Sequence, residues 1–85
     1  MPYTVEFSSG GERDFRKLSR ASQGKMLPSL ALLSGNPRPS GGTKKLKGMN
    51  AWRIRVGDFR IIYEIHDDEA RILIIKIAHR SKIYR

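Results

Sequence analysis

Cysteine is absent from this chain, which removes both a disulfide framework and a thiolate zinc site from consideration. The two histidines, His66 and His79, stand too far apart to form a metal-ligand spacing, so no metal and no other cofactor is expected. No apolar run approaches the ~18 residues of a membrane span, and the opening MPYTVEF lacks a basic region followed by an apolar stretch. A soluble, cytoplasmic protein is the expectation. Acidic residues are scarce: none occurs between Phe15 and Gly57, a segment that holds ten of the 17 lysines and arginines.

What is present is positive charge on a patterned apolar framework. The formal net charge is +9 and the hydrophobic fraction is 39%, so the chain reads as a folded domain rather than a disordered basic tail. Its 85 residues are enough for one domain, 1–85, with a modest core. Like charges at this density repel one another unless a polyanion meets them, which favours a nucleic-acid partner.

Residues 3–7 alternate and are rich in strand formers. Ser8 or Ser9 can cap a helix over residues 11–18, with Phe15 and Leu18 on one face. A second helix is expected over 22–33, carrying an apolar stripe of Met26, Leu27, Leu30, Ala31 and Leu33, although Pro28 would bend it unless it lies in the first turn. SGNPRPSGG, residues 34–42, is a loop by composition. After it come KKLKG as a short or edge strand, then strands over 51–56, 59–65 and 71–79. The order predicts an α+β fold, with two N-terminal helices packed on one face of a small, mainly antiparallel sheet.

WRIRVGDFRIIYEI, residues 52–65, raises the functional question, because Arg53, Arg55 and Arg60 interrupt a stretch that otherwise reads as core. A two-residue Gly57-Asp58 loop suits a type II′ hairpin. It would pair Val56 with Phe59, Ile54 with Ile61 and Trp52 with Tyr63 on the core face, leaving Arg55 opposite Arg60 and Arg53 opposite Ile62 on the other. A second hairpin through the five residues HDDEA would set Tyr63 against Leu73, Ile61 against Ile75 and Arg60 against Lys76. Arg55, Arg60 and Lys76 would then form a cationic row across three strands, extended by Arg80. Directly opposed like charges destabilise a strand pair, so such a row implies an anionic ligand. Planar guanidinium forks suit phosphates, and Tyr84 can stack on a base of single-stranded RNA. Lys44, Lys45 and Lys47 of KKLKG, with Lys76 and Lys82, are candidate substrate contacts. Ile62, Ile72 and Ile74, assigned by the same register to the cationic face, are candidate anchors for a protein partner.

NPRPSGGTKKLKG, WRIRVGDFRIIYEI and IAHRSKIYR, in that order and with RDFRKL near the N-terminus, resemble the RelE branch of the RelE/ParE toxin superfamily. The resemblance implies a microbial ribonuclease fold and the toxin of a type II toxin-antitoxin pair. It implies metal-independent cleavage of mRNA in the ribosomal decoding site, and neutralisation by a cognate antitoxin that wraps around the toxin and mediates most of its oligomerisation. By position, the family's basic pair falls on Arg53 and Arg55, its next arginine on Arg60, and its C-terminal arginine and tyrosine on Arg80 and Tyr84. Unlike in better-studied relatives, no helix is expected after that tyrosine, and arginine stands at both positions of the pair. A guanidinium stays protonated at neutral pH, so neither arginine can act as general base. His79, with a reference pKa of ~6.5, is a candidate for that role. The ParE branch resembles the same fold but acts on DNA gyrase without catalysis, and an RNA-binding module without cleavage is a further alternative.

Overall fold

The computed structural model describes residues 2–38, 43–46, 48 and 50–79. The elements run β1 (Thr4–Phe7), α1 (Ser9–Arg16), α2 (Arg20–Gly35), β2 (Thr43–Lys45), β3 (Trp52–Val56), β4 (Phe59–His66) and β5 (Arg71–His79), with a 3-10 turn at Asp67–Glu69. The sheet order is β1-β5-β4-β3-β2, with β1 parallel to β5 and the other pairs antiparallel. This is the expected α+β fold, with two helices packed against a five-stranded mixed sheet. No helix among the described residues is long and apolar enough to cross a membrane.

Both helices begin at serine caps. Ser8 Oγ accepts from the Gly11 amide at 3.0 Å and Ser19 Oγ from the Ser22 amide at 3.2 Å, each satisfying one of the orphan donors of a first turn. α2 runs through Pro28 rather than starting there. Gly24, whose carbonyl loses its helical donor, lies with Pro28 on the exposed side, where water can meet that oxygen. The buried stripe of α2 is Met26, Leu30 and Leu33; Leu27 and Ala31, expected in it, are exposed. A run of apolar residues around Pro28 gave no clear helical face, so periodicity could not choose among them.

The core lies between the helices and the sheet, where Met26, Leu30 and Leu33 pack with Ile61, Tyr63, Ile65, Ile72, Ile74 and Ile77. Gly11 makes this contact possible. An added Cβ there would lie 2.1 Å from the Ile74 carbonyl oxygen, so α1 can approach β5 this closely only without a side chain.

The first hairpin has the expected register: Val56 pairs with Phe59, Ile54 with Ile61, Trp52 with Tyr63, and Arg55 with Arg60. Gly57 takes φ +60° while Asp58 stays at negative φ, as a type II′ turn requires. The second hairpin differs. Its connection is the four residues 67–70, closed by Ala70 in the left-handed region at φ 48°, so His66 rather than Ile65 faces Arg71. One residue fewer in the loop reverses the facing of the first half of β5. That turns Ile72 and Ile74 into the core at 0% exposure and Leu73 to the other face. A bulge at Ile75 then restores the expected facing, displaced by two residues, with Ile61 opposite Ile77 and Arg60 opposite Ala78.

Candidate nucleic-acid interface

Strand alternation carries Lys44, Arg53, Arg55, Arg60, Ile62 and Lys76 to the sheet face turned away from the helices. Across β2, β3, β4 and β5, one row reads Lys44, Arg53, Ile62, Lys76, and the next reads Arg55, Arg60, Ala78. The expected row of Arg55, Arg60 and Lys76 is therefore two staggered rows. Lys76 faces Ile62, and Ala78 takes the place beside Arg60. The bulge in β5 is the cause, and it leaves all the cations on one face.

Their burial differs. Arg55, Lys44 and Lys76 are exposed and Arg53 is half-buried. Arg60 is only 7% exposed, so its position is set by the packing around it while Arg55 swings more freely beside it. Such a pair combines one preorganised cation with an adaptable one.

Charge is segregated along this face. Toward β1 and the 67–70 turn the cations are matched: Arg71 pairs with Glu6 at 3.0 Å and Glu69 at 3.1 Å, and His66 with Glu64 at 3.0 Å. Toward the Gly57-Asp58 hairpin the strand positions are of one sign. Three acids at the first end and none on the cationic rows make an anion favour one half of the sheet.

Other expected site residues fall elsewhere. Lys45 pairs with Trp52 and so faces the helix side of the edge strand, away from the cationic rows. Ile72 and Ile74 are fully buried core and cannot anchor a partner on the cationic face; Ile62 alone of the three lies there, half-buried. His79 pairs with Phe59, with the two rings edge to face at 5.6 Å, on the side opposite Arg60. Lys47, Arg80, Lys82 and Tyr84 lie outside the described residues.

One constellation had no expectation attached to it. Arg38, in the loop after α2, reaches Asp67 with a 2.8 Å bond from one guanidinium nitrogen and lies 5.2 Å from the centre of the Trp52 ring. Tyr3 donates to the same carboxylate at 2.5 Å, and the buried Tyr63 donates to the Pro37 carbonyl at 2.8 Å. The Arg38 guanidinium, and then the Tyr3 hydroxyl, hold the Asp67 carboxyl below its ordinary range. The same contact with Asp67 raises Tyr3 and Arg38. These bonds tie the start of the loop leading to Lys44 to the turn between β4 and β5. The partners are 29 residues apart in sequence, so only the fold reveals that Asp67 is paired.

A family profile described as "ParE toxin of type II toxin-antitoxin system, parDE" matches residues 5–84. The chain belongs to this family of type II toxins. Within it the chain is RelE-like: it is 30% identical over 86 residues to "Toxin RelG" of Mycobacterium tuberculosis, covering 100% of this chain and 99% of that one. The RelBE2 toxin-antitoxin complex of M. tuberculosis contains a chain that superposes with a TM-score of 0.81 at 26% identity, with 96% and 95% of the two chains covered. The archaeal RelE-RelB complex of Pyrococcus horikoshii gives a TM-score of 0.81 at 26% identity, covering 96% of this RelE-like toxin and 99% of its counterpart.

Proposed function

We propose that this RelE-like toxin is a ribosome-dependent endoribonuclease that cleaves mRNA in the decoding site without a metal, and that a cognate antitoxin neutralises it. The observation that carries the reading is the pairing of buried Arg60 with exposed Arg55, flanked by Lys44, Arg53 and Lys76 on one sheet face. Directly opposed like charges destabilise a strand pair, and a phosphodiester placed between the two guanidinium groups can accept bonds from both.

In this reading the 2′-hydroxyl attacks the adjacent phosphorus. The new O2′–P bond forms as the P–O5′ bond breaks, leaving a 2′,3′-cyclic phosphate and a 5′-hydroxyl end. Arg60, fixed by its burial, donates to the charge that builds on the phosphorane-like oxygens, and Arg80 adds a second donor. Arg53 and Arg55 align the backbone and donate hydrogen bonds to the leaving oxygen, while water takes the proton of the 2′-hydroxyl and returns one to O5′. Tyr84 stacks on a base or carries a proton. Lys44, Lys47, Lys76 and Lys82 hold flanking phosphates. Ile62, half-buried among the cations, gives the antitoxin an apolar anchor on the face it must cover.

The test is brief induction in cells followed by mapping of new 5′ ends on transcripts, with Arg55→Ala as the control. Translation-dependent cuts within coding sequence, lost in Arg55→Ala, are expected. Intact transcripts together with inhibition of purified gyrase would replace this reading with the non-catalytic one.

A further inference from the structure

β1 accompanies β5 only as far as the pair Phe7–Ile74, after which the chain turns into α1. Among the described residues, no strand accompanies the remaining five residues of β5 on that side. There the Ile77 amide donates to the Asp14 carboxylate of α1 at 3.0 Å. Beside that bond lies a cavity of about 300 Å³, walled by Asp14, Lys17 and Leu18 from the helix layer and by Phe59, Lys76 and His79 from the sheet.

The cavity adjoins the cationic face directly. Ala78, which also lines it, is the residue opposite Arg60 on β4, so it opens about one strand spacing, ~4.8 Å, from that arginine's strand. Lys76 belongs both to the cationic face and to the cavity rim, and Lys17 approaches from the other layer. A second cavity, of about 240 Å³ beside Lys25 and the Gly57-Asp58 turn, contains no residue of the cationic face.

We infer that the cavity at the outer edge of β5 is a subsite for the nucleotide adjoining the one held at Arg55 and Arg60. The inference rests on the RNA-cleaving reading above and extends it to the substrate path. A strand of RNA crossing from β3 over β4 reaches β5 at Ala78 and continues into the adjoining cavity. Its next phosphate is held between Lys17 and Lys76, and its base enters against the Phe59 and His79 rings. A volume of about 300 Å³ is at the small end of ligand pockets and suits one nucleoside. Asp14 supplies an acceptor at the cavity wall; with one oxygen committed to Ile77, the other is positioned to receive an exocyclic amino group. The subsite therefore prefers adenine, guanine or cytosine to uracil.

The experiment measures binding of the full chain to fully 2′-O-methylated oligonucleotides, which cannot be cleaved, by fluorescence anisotropy at low salt. A trinucleotide is compared with tetranucleotides extended by adenosine, by uridine or by an abasic residue at either end. The wild type is expected to gain about tenfold in affinity from adenosine at one end only, and less from uridine or the abasic residue. Lys17→Ala and Lys17→Glu should lose most of that gain while binding the trinucleotide nearly as before; Arg55→Ala should weaken every length by the same factor. An increment that survives both Lys17 substitutions, or that is equal at the two ends, overturns the subsite alone. A wild type that binds no oligonucleotide of either length overturns the RNA reading as well. Circular dichroism melts of the Lys17 variants, expected to match the wild type, separate a contact with RNA from a loss of fold.

Discussion

Gly11→Ala is the sharpest test of how this molecule is assembled. The added methyl would lie 2.1 Å from the Ile74 carbonyl oxygen and 2.9 Å from its carbon, both backbone atoms that no rotamer change can move. To restore ordinary contact, α1 must retreat from β5 by on the order of 1 Å, which costs roughly 1–3 kcal/mol as overpacking. The retreat also strains two bonds that cross the same seam: Ser8 amide to Ile74 carbonyl at 2.9 Å and Ile77 amide to Asp14 at 3.0 Å. Each is worth roughly 1 kcal/mol net. Against this stands the helix-propensity gain of alanine over glycine, about 1 kcal/mol at most. The destabilisation should be about 2–4 kcal/mol in urea unfolding followed by circular dichroism, a large share of the roughly 5–15 kcal/mol available to a small domain. Gly24→Ala is the matched control. No heavy atom lies within 4 Å of its added methyl, so it should stabilise the protein by about 0.5–1 kcal/mol. If Gly11→Ala proves as stable as Gly24→Ala, the close seam between α1 and β5 does not exist as described.

Further outcomes follow from other sites. Ala70→Gly should raise stability by about 0.5–1 kcal/mol, because Ala70 holds φ 48° at the turn before β5; a lower urea midpoint would contradict that. Asp67 is held below its unfolded value by Arg38 and Tyr3, so its contribution is complete above the unfolded carboxylate pKa and is lost as pH falls through the folded one. Asp67→Asn should flatten the acid limb of a stability-versus-pH curve, and an unchanged limb would show that the Arg38 clip is not populated. RNA affinity should fall with salt at a log-log slope of about −3.5 if all five cations Lys44, Arg53, Arg55, Arg60 and Lys76 meet phosphates, and each alanine substitution should flatten the slope by about 0.7. Arg55→Ala, at an exposed position, should leave stability within about 0.5 kcal/mol while cleavage falls about 10²–10³-fold; retained cleavage at that site would remove Arg55 from the chemistry.

The legibility of the site followed the range of the interactions that built it. Arg55 opposite Arg60 was readable because one glycine with positive φ, two residues after Arg55 and three before Arg60, decides that register. Lys76 beside Arg60 was misplaced because the β4–β5 register depends on a four-residue turn and a bulge. Both coincide with long-range partners: β1 pairing along β5 up to Ile74, Ser8 donating to the Ile74 carbonyl, and Gly11 pressed against it. Arg38, Asp67 and Tyr3 were opaque for the same reason, since residues 29 and 64 apart meet only once the sheet has formed.

From the residues alone came the α+β layout, the serine cap of the first helix, the type II′ hairpin and the excess of cations on one strand pair. Each rests on forces acting within a few residues: alternation, capping and the freedom of glycine at positive φ. Tertiary structure decided that Ile72 and Ile74 go to the core, that Arg60 is buried while Arg55 is not, and that the lysine capping the C-terminus of α1 shares a cavity with one of β5. Those outcomes depend on which distant backbone fills the space beside β5, and a strand's own pattern cannot report a one-residue change in a turn that flips its faces.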